Sequence, residues 1–210
     1  MGLMNPEARW SHARFCLIIN DDCSGFGFIF NLLHKVETEK TMSSLDKAIE
    51  TKFQKRIHTL QTDNGGKFIN QQLQEYCQDH GISLITLVAY NPELNGRAER
   101  RNQMHMERSS TILKDSQFGK DLCGEAMSTH IYIWNRCPSS ILPNYITPYK
   151  RVFGHLPSIG HLHVFGSKCF IKVPEETRTK LDDKALECRL IGFEGDSIYV
   201  VVDSNMKKLR

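Results

Sequence analysis

The chain has no apolar run approaching the ~20 residues that cross a bilayer, and no basic segment followed by an apolar one at its start. A membrane span and a secretory leader are therefore not expected. It also lacks a strong charge of one sign: 27 Lys and Arg stand against 24 Asp and Glu, a net +3. Nucleic-acid binding cannot be read from that total, only from where the charge sits. The seven cysteines include no CxxC pair and no regular spacing, which argues for reduced thiols rather than a disulfide framework. The nine histidines form no CxxC…HxxxH arrangement. In the nearest grouping, His155, His161 and His163 with Cys169 beyond, His161 and His163 flank Leu162 as alternating strand positions would. Internal repeats and low-complexity tracts are absent. The sequence reads as a soluble chain of the cytoplasm or nucleus, long enough for one domain with an appendage or for two small domains.

Arg14 to Asn20 and Gly25 to Leu33 read as two strands joined by the polar turn DDCSG, a hairpin. Met42, Leu45, Ile49 and Phe53 recur at helical spacing, so an amphipathic helix is expected over Thr41 to Lys55. A strand over Ile57 to Thr62, a helix over Ile69 to His80 with Leu73, Tyr76 and Cys77 on its inner face and stopped by Gly81, and a strand over Ile82 to Val88 follow. A hairpin followed by alternating helices and strands predicts an α/β sheet with helices packed on it. After the polar loop AYNPELNG come a charged helix, Arg97 to Lys114, and a more apolar one, Lys120 to Asn135. Pro138, Pro143 and Pro148 are expected to break regular structure and mark a linker. Beyond His161, HVFGSKCFIKV, CRLIGF and SIYVVVD read as short strands of a small β-barrel. The expected division is a core over 1–137, a linker over 138–160 and an all-β part over 161–210.

The stretch LQTDNGGKF places one carboxylate, Asp63, at the end of a short strand, before a turn. Asp-Asn-Gly ordinarily makes turns through side-chain bonds to the backbone. Glu99, just inside the charged helix, supplies a second carboxylate able to converge with Asp63 at the carboxyl edge of the sheet, where α/β sheets place ligands. Paired carboxylates suit a hard divalent cation, which takes oxygen ligands and keeps several waters. Arg97, Arg100, Arg101 and Arg108 follow along the same helix. They are either a solvated face or, beside a metal site, a surface for phosphodiesters.

LQTDNGGKF and YNPELNGRAERRN, with the spacing between them, resemble the integrase core of copia-type retrotransposons. So do GEA at 124–126, NRCPSSIL at 135–142, TPYKRVFG at 147–154, HLHVFGSKCF at 161–170 and RTKLDDKALECRLIGF at 178–193. The resemblance implies a ribonuclease-H-like mixed sheet with flanking helices, its first strand truncated, followed by an SH3-like barrel. It implies metal-dependent processing of element DNA ends and their transfer to target DNA, by an Asp-Asp-Glu set holding two Mg²⁺ or Mn²⁺ ions. Asp63 matches the second Asp and Glu99 the Glu. DNA contacts are expected from Asn95, Arg97, Arg100, Arg101 and Arg108. Lys67 stands where the family usually has Glu, and either weakens metal affinity or contacts a phosphate. A homo-oligomer is compatible with the family.

Two departures besides Lys67 qualify this expectation. GLM at Gly2 to Met4 looks like the family's step after its first Asp, which would fall before Met1, so residues 1–210 lack that carboxylate. The paired-His, paired-Cys zinc module that precedes the family's core is likewise missing from them. Asp21 and Asp22, in INDDCSG, match an acidic turn rather than a substitute ligand. The chain is thus expected to be a truncated, inactive integrase-like copy. The alternatives are a non-catalytic nucleic-acid-binding remnant or domesticated module, and a remnant that contacts another protein.

Overall fold

The computed structural model describes residues 2–63, 71–87, 92–140, 142–179 and 183–209, without the side chains of residues 2, 63, 86–87, 92–98 and 177. The chain divides into two compact units, Met1–Ile18 with Phe30–Met104, and Ile19–Ile29 with His105–Arg210. No helix among the described residues is long and apolar enough to cross a membrane.

Strand β1 (Gly2–Leu3) pairs antiparallel with β2 (Phe15–Asn20), which lies beside β3 (Gly27–Leu32). The acidic stretch between β2 and β3 is a turn, as its sequence implies. Asp21 accepts from the Ser24 amide at 2.9 Å and from the Ser24 hydroxyl, while its carbonyl takes the Gly25 amide at 2.7 Å. An Asp with its oxygens committed to its own turn is closing a loop.

In the first unit, α1 (Thr38–Phe53) buries Met42 and Leu45 and ends at Gln54, whose positive φ of 52° makes a left-handed cap. Strand β4 (Thr59–Asp63), helix α2 (Gln71–Asp79) and β5 (Ser83–Leu87) form a parallel unit with Asp63 opposite Leu87. Leu73, Tyr76 and Cys77 form the buried face of α2, the one its spacing predicts. Asp46 ties the layers together: its carboxylate accepts the Tyr76 hydroxyl at 3.2 Å and the Ile57 amide at 3.2 Å.

Helix α3 (Pro92–Ser116) begins earlier than the charge pattern implies. Proline at the first helical position has no amide to waste and a φ already suited to the helix, so part of the expected polar loop is helical. Glu99 therefore lies in the second turn rather than at the start. The buried stripe of the helix in the second unit is polar, with His105 and Ser109 followed by Ser116.

Helix α4 (Cys123–Trp134) follows a short 3-10 turn. The proline-marked stretch, read as broken, contains α5 (Pro148–Phe153). Thr147 caps it by accepting the Lys150 amide at 3.0 Å, Pro148 takes the first position and Gly154 closes it at φ 81°. Proline here starts a helix instead of ending one.

Strands β6 (Lys168–Lys172), β7 (Ala185–Glu194), β8 (Ile198–Asp203) and β9 (Lys208–Leu209) make an antiparallel sheet in chain order. Val200, Val201 and Val202 are all buried, so this strand has two covered faces. Val201 joins Cys188, Leu190, Cys169, Ile171, Phe193 and Leu209 on one face. On the other, the bulge in β7 between Leu190 and Gly192 meets α4, where the Thr129 hydroxyl donates to the Ile191 carbonyl at 3.3 Å.

Candidate metal and nucleic-acid site

Asp63 is the last residue of β4, at the carboxyl end of a parallel pair whose crossover helix is α2. Backbone polarity and crossover geometry make that edge the ligand edge of an α/β unit. Glu99 is exposed on α3. Of the expected phosphate contacts, Arg100 is exposed and Arg101 half-buried on the same helix. Arg108, further along, sets its guanidinium over the Trp134 ring at 5.1 Å, which accounts for at least one of its roles within the fold. The side chains of Asp63, Asn95 and Arg97, and Lys67 altogether, lie outside the described residues. Among the described residues no group of three His, Cys, Asp or Glu side chains is placed to hold a metal ion. The histidines near Cys169 are engaged otherwise: His155 packs against Tyr149 at 5.5 Å, and Nε2 of His161 lies 2.7 Å from the Tyr132 hydroxyl.

These elements fall within two known families. Residues 6–92 match the integrase core domain, and residues 167–210 match the retroviral polymerase SH3-like domain. The chain carries an integrase core domain and a retroviral polymerase SH3-like domain. The Retrovirus-related Pol polyprotein from transposon TNT 1-94 of Nicotiana tabacum is 33% identical over 213 aligned residues, covering 99% of this chain. The corresponding polyprotein from transposon RE1 of Arabidopsis thaliana is 32% identical over 189 residues, or 90% of the chain. These relatives are copia-type Pol polyproteins of plant transposons, and the chain spans only 16% and 13% of their lengths. The catalytic core domain of BIV integrase aligns with 66% of this chain and 85% of its own, at 19% identity and a TM-score of 0.48.

The resemblance carried by the motifs is borne out at the level of family and fold: a mixed α/β integrase core, ribonuclease-H-like in class, and an antiparallel sheet for the SH3-like part. Asp63 falls inside the matched core, and Glu99 lies a few residues beyond its end. The integrase core family uses divalent metal ions and binds DNA.

What the sequence did not reveal is a set of polar contacts in the second unit, around α3 and α4. Nδ1 of His105 and Nε2 of His130 lie 2.9 Å apart, with His105 fully buried and His130 5% exposed. One ring must donate and the other accept, so both cannot carry two protons. Burial first, then the neighbouring His105 and Arg108, depress the His130 imidazole to about 4. Asn135, of NRCPSSIL, accepts the Gly27 amide at 2.8 Å and donates to the Gly27 carbonyl at 2.9 Å, completing a strand edge with a side-chain amide. A Cβ at Gly27 would stand 3.3 Å from the Ile131 side chain, so Ile131 would have to shift by a few tenths of an ångström to admit one. The Tyr132 hydroxyl reaches the Gly195 carbonyl at 2.8 Å and Asp196 at 2.9 Å, and Arg136 binds Asp196 at 2.8 Å while lying 3.5 Å over the Tyr132 ring. The hydrogen bond from Arg136 holds the Asp196 carboxyl below its usual range, and burial followed by Asp196 pushes the Tyr132 phenol up. These contacts tie separate elements of the second unit to one another.

Proposed function

We propose that Asp63 and Glu99 are two carboxylates of a divalent-cation site at the carboxyl edge of β4, and that the chain binds the phosphodiester backbone of DNA beside it. The observation that carries this reading is the position of Asp63 as the terminal residue of a parallel strand inside the matched integrase core. The donor chemistry fits: carboxylate oxygens are hard ligands of the kind Mg²⁺ and Mn²⁺ take. When bound, such ions activate an attacking oxygen and neutralise the departing one in phosphodiester displacement. Asp63 supplies acceptor oxygens from a strand end, whose backbone is held by its neighbour in the sheet. Glu99 supplies them from a long helix. Arg100 and Arg101 follow it and orient the phosphate backbone through charge-assisted hydrogen bonds. Strand β1, Gly2–Leu3, carries no carboxylate. Two carboxylates by themselves hold such an ion weakly, because it keeps its waters unless further oxygens fix it.

Mn²⁺ titration of the full chain, followed by loss of the free-ion electron paramagnetic resonance signal, tests the site. Asp63→Asn and Glu99→Gln are each expected to weaken Mn²⁺ uptake, and the double variant is expected to match a protein without the site. Uptake unchanged in both single variants overturns the assignment. A parallel strand-transfer assay with Mg²⁺ and Mn²⁺ is expected to give no product. Product that disappears in Asp63→Asn would mean that the 210 residues hold a complete metal set.

A further inference from the structure

Arg189 lies within the motif RTKLDDKALECRLIGF and Gly166 within HLHVFGSKCF, and the metal reading gives neither of them a role. In the structure they meet at the end of α3. The Arg189 guanidinium donates through Nε to the Gly166 carbonyl at 2.9 Å and through Nη2 to the Ser116 carbonyl at 2.5 Å. Its plane lies 4.1 Å over the Phe118 ring, and Phe118 packs edge-on against Phe165 at 5.8 Å. Ser116 is the last residue of α3, and Gln117 turns out of the helix at φ 59°. The final carbonyls of a helix have no partner within it and carry the negative end of its dipole. A planar cation with a fixed fork of donors satisfies both needs at once.

Gly166 explains how the sheet comes close enough. Its φ is +84°, and a Cβ there would stand 2.6 Å from the Ser116 Cβ and 3.2 Å from Arg189 Nη2. Only a residue without a side chain fits between the sheet and the helix end. Gly166 is in turn held to β7: its amide donates to the Leu190 carbonyl at 2.7 Å, and the Leu190 amide returns a bond to the Ser167 carbonyl at 2.9 Å. Arg189 is thus flanked by a residue that locks the sheet's entry strand in place. The same side of the sheet is tied to α4 by Thr129 and by Lys208, whose ammonium lies 3.2 Å from the Glu125 carboxylate.

We propose that Arg189 is a positioning clamp on the C-terminal end of α3, and that through it the C-terminal sheet and the 105–116 half of α3 order and unfold as one cooperative unit. The helix that carries Glu99 is anchored at its far end by the SH3-like part of the chain. A change that loosens the sheet loosens the helix, and the reverse holds equally, because a coupling free energy acts in both directions. The clamp does not depend on metal or DNA binding, so the failure of either reading leaves the other standing.

Peptide-resolved hydrogen exchange of the full chain tests this. Arg189→Ala removes both bonds and the stacking. It is expected to cut the protection of 108–118 and of β6–β8 together, by a similar factor of roughly 10- to 100-fold, the size that losing charge-assisted hydrogen bonds commands. The α1 and α2 peptides are expected to stay unchanged. Arg189→Lys keeps the charge but cannot span two carbonyls, and is expected to behave like the alanine variant. Loss confined to the sheet overturns the proposal, as does an equal loss in α1 and α2, which would be general destabilisation. If Arg189→Ala does not fold, the wild-type chain decides. Pulsed alkylation of Cys188, 1% exposed within the sheet, and exchange of 108–116 in a urea series are expected to share one midpoint. Two separated midpoints overturn the clamp.

Discussion

Acidification should strike the second unit first at the His105–His130 pair. In the unfolded chain His130 titrates near 6.5, and in the fold near 4, because burial and the adjacent His105 and Arg108 disfavour the imidazolium. The depressed value means that the unfolded state binds the proton more readily. Stability is therefore complete above pH 6.5, falls as pH drops through the window from 6.5 to 4, and flattens below it. At about 1.4 kcal/mol per pH unit, that interval sets an upper figure of ~3 kcal/mol, and relaxation around the charged ring brings it nearer ~2. Geometry supports the sign independently. The two nitrogens at 2.9 Å need one donor and one acceptor, and a doubly protonated pair would set N–H against N–H. Urea denaturation at pH 7.0, 6.0, 5.0 and 4.5, followed by fluorescence and by circular dichroism, measures the slope. His130→Gln keeps a polar side chain of similar reach and cannot titrate, so its stability should change less over the same window. Parallel profiles for wild type and His130→Gln between pH 6.5 and 4.5 would refute the reasoning, since the proton would then be binding elsewhere.

Asn135→Ala is expected to cost about 2–4 kcal/mol, because it leaves both the amide and the carbonyl of Gly27 buried without partners. Asn135→Asp, which accepts but cannot donate, should lose a large part of the same stability in chemical denaturation at pH 7. Replacing Arg100 and Arg101 together by Ala should flatten the log–log salt dependence of duplex DNA binding by about two units if each neutralises one phosphate. An unchanged slope would make the pair a solvated helix face.

The periodicities in the sequence determined the order of elements in the first unit, because apolar spacing and turn residues act between near neighbours. The buried face of α2, the turn around Asp21 and the placement of Asp63 at a strand end were all legible that way. The family was legible too, since its motifs lie in order along nearly the whole chain. Proline was the local signal that misled. Pro92 read as part of a loop and Pro148 as a break, yet both stand at the first position of a helix, where a fixed φ suits the turn and the missing amide costs nothing. The remaining features were closed to sequence reasoning by distance along the chain. Asn135 completes a strand edge 108 residues away, His105 meets His130 across 25, and Arg189 caps a helix 73 residues earlier. Each of these side chains is a common surface type in isolation. A His, an Asn or an Arg acquires a buried partner only when the folded backbone brings the matching donor or acceptor within about 3 Å, and no one-dimensional pattern records that approach.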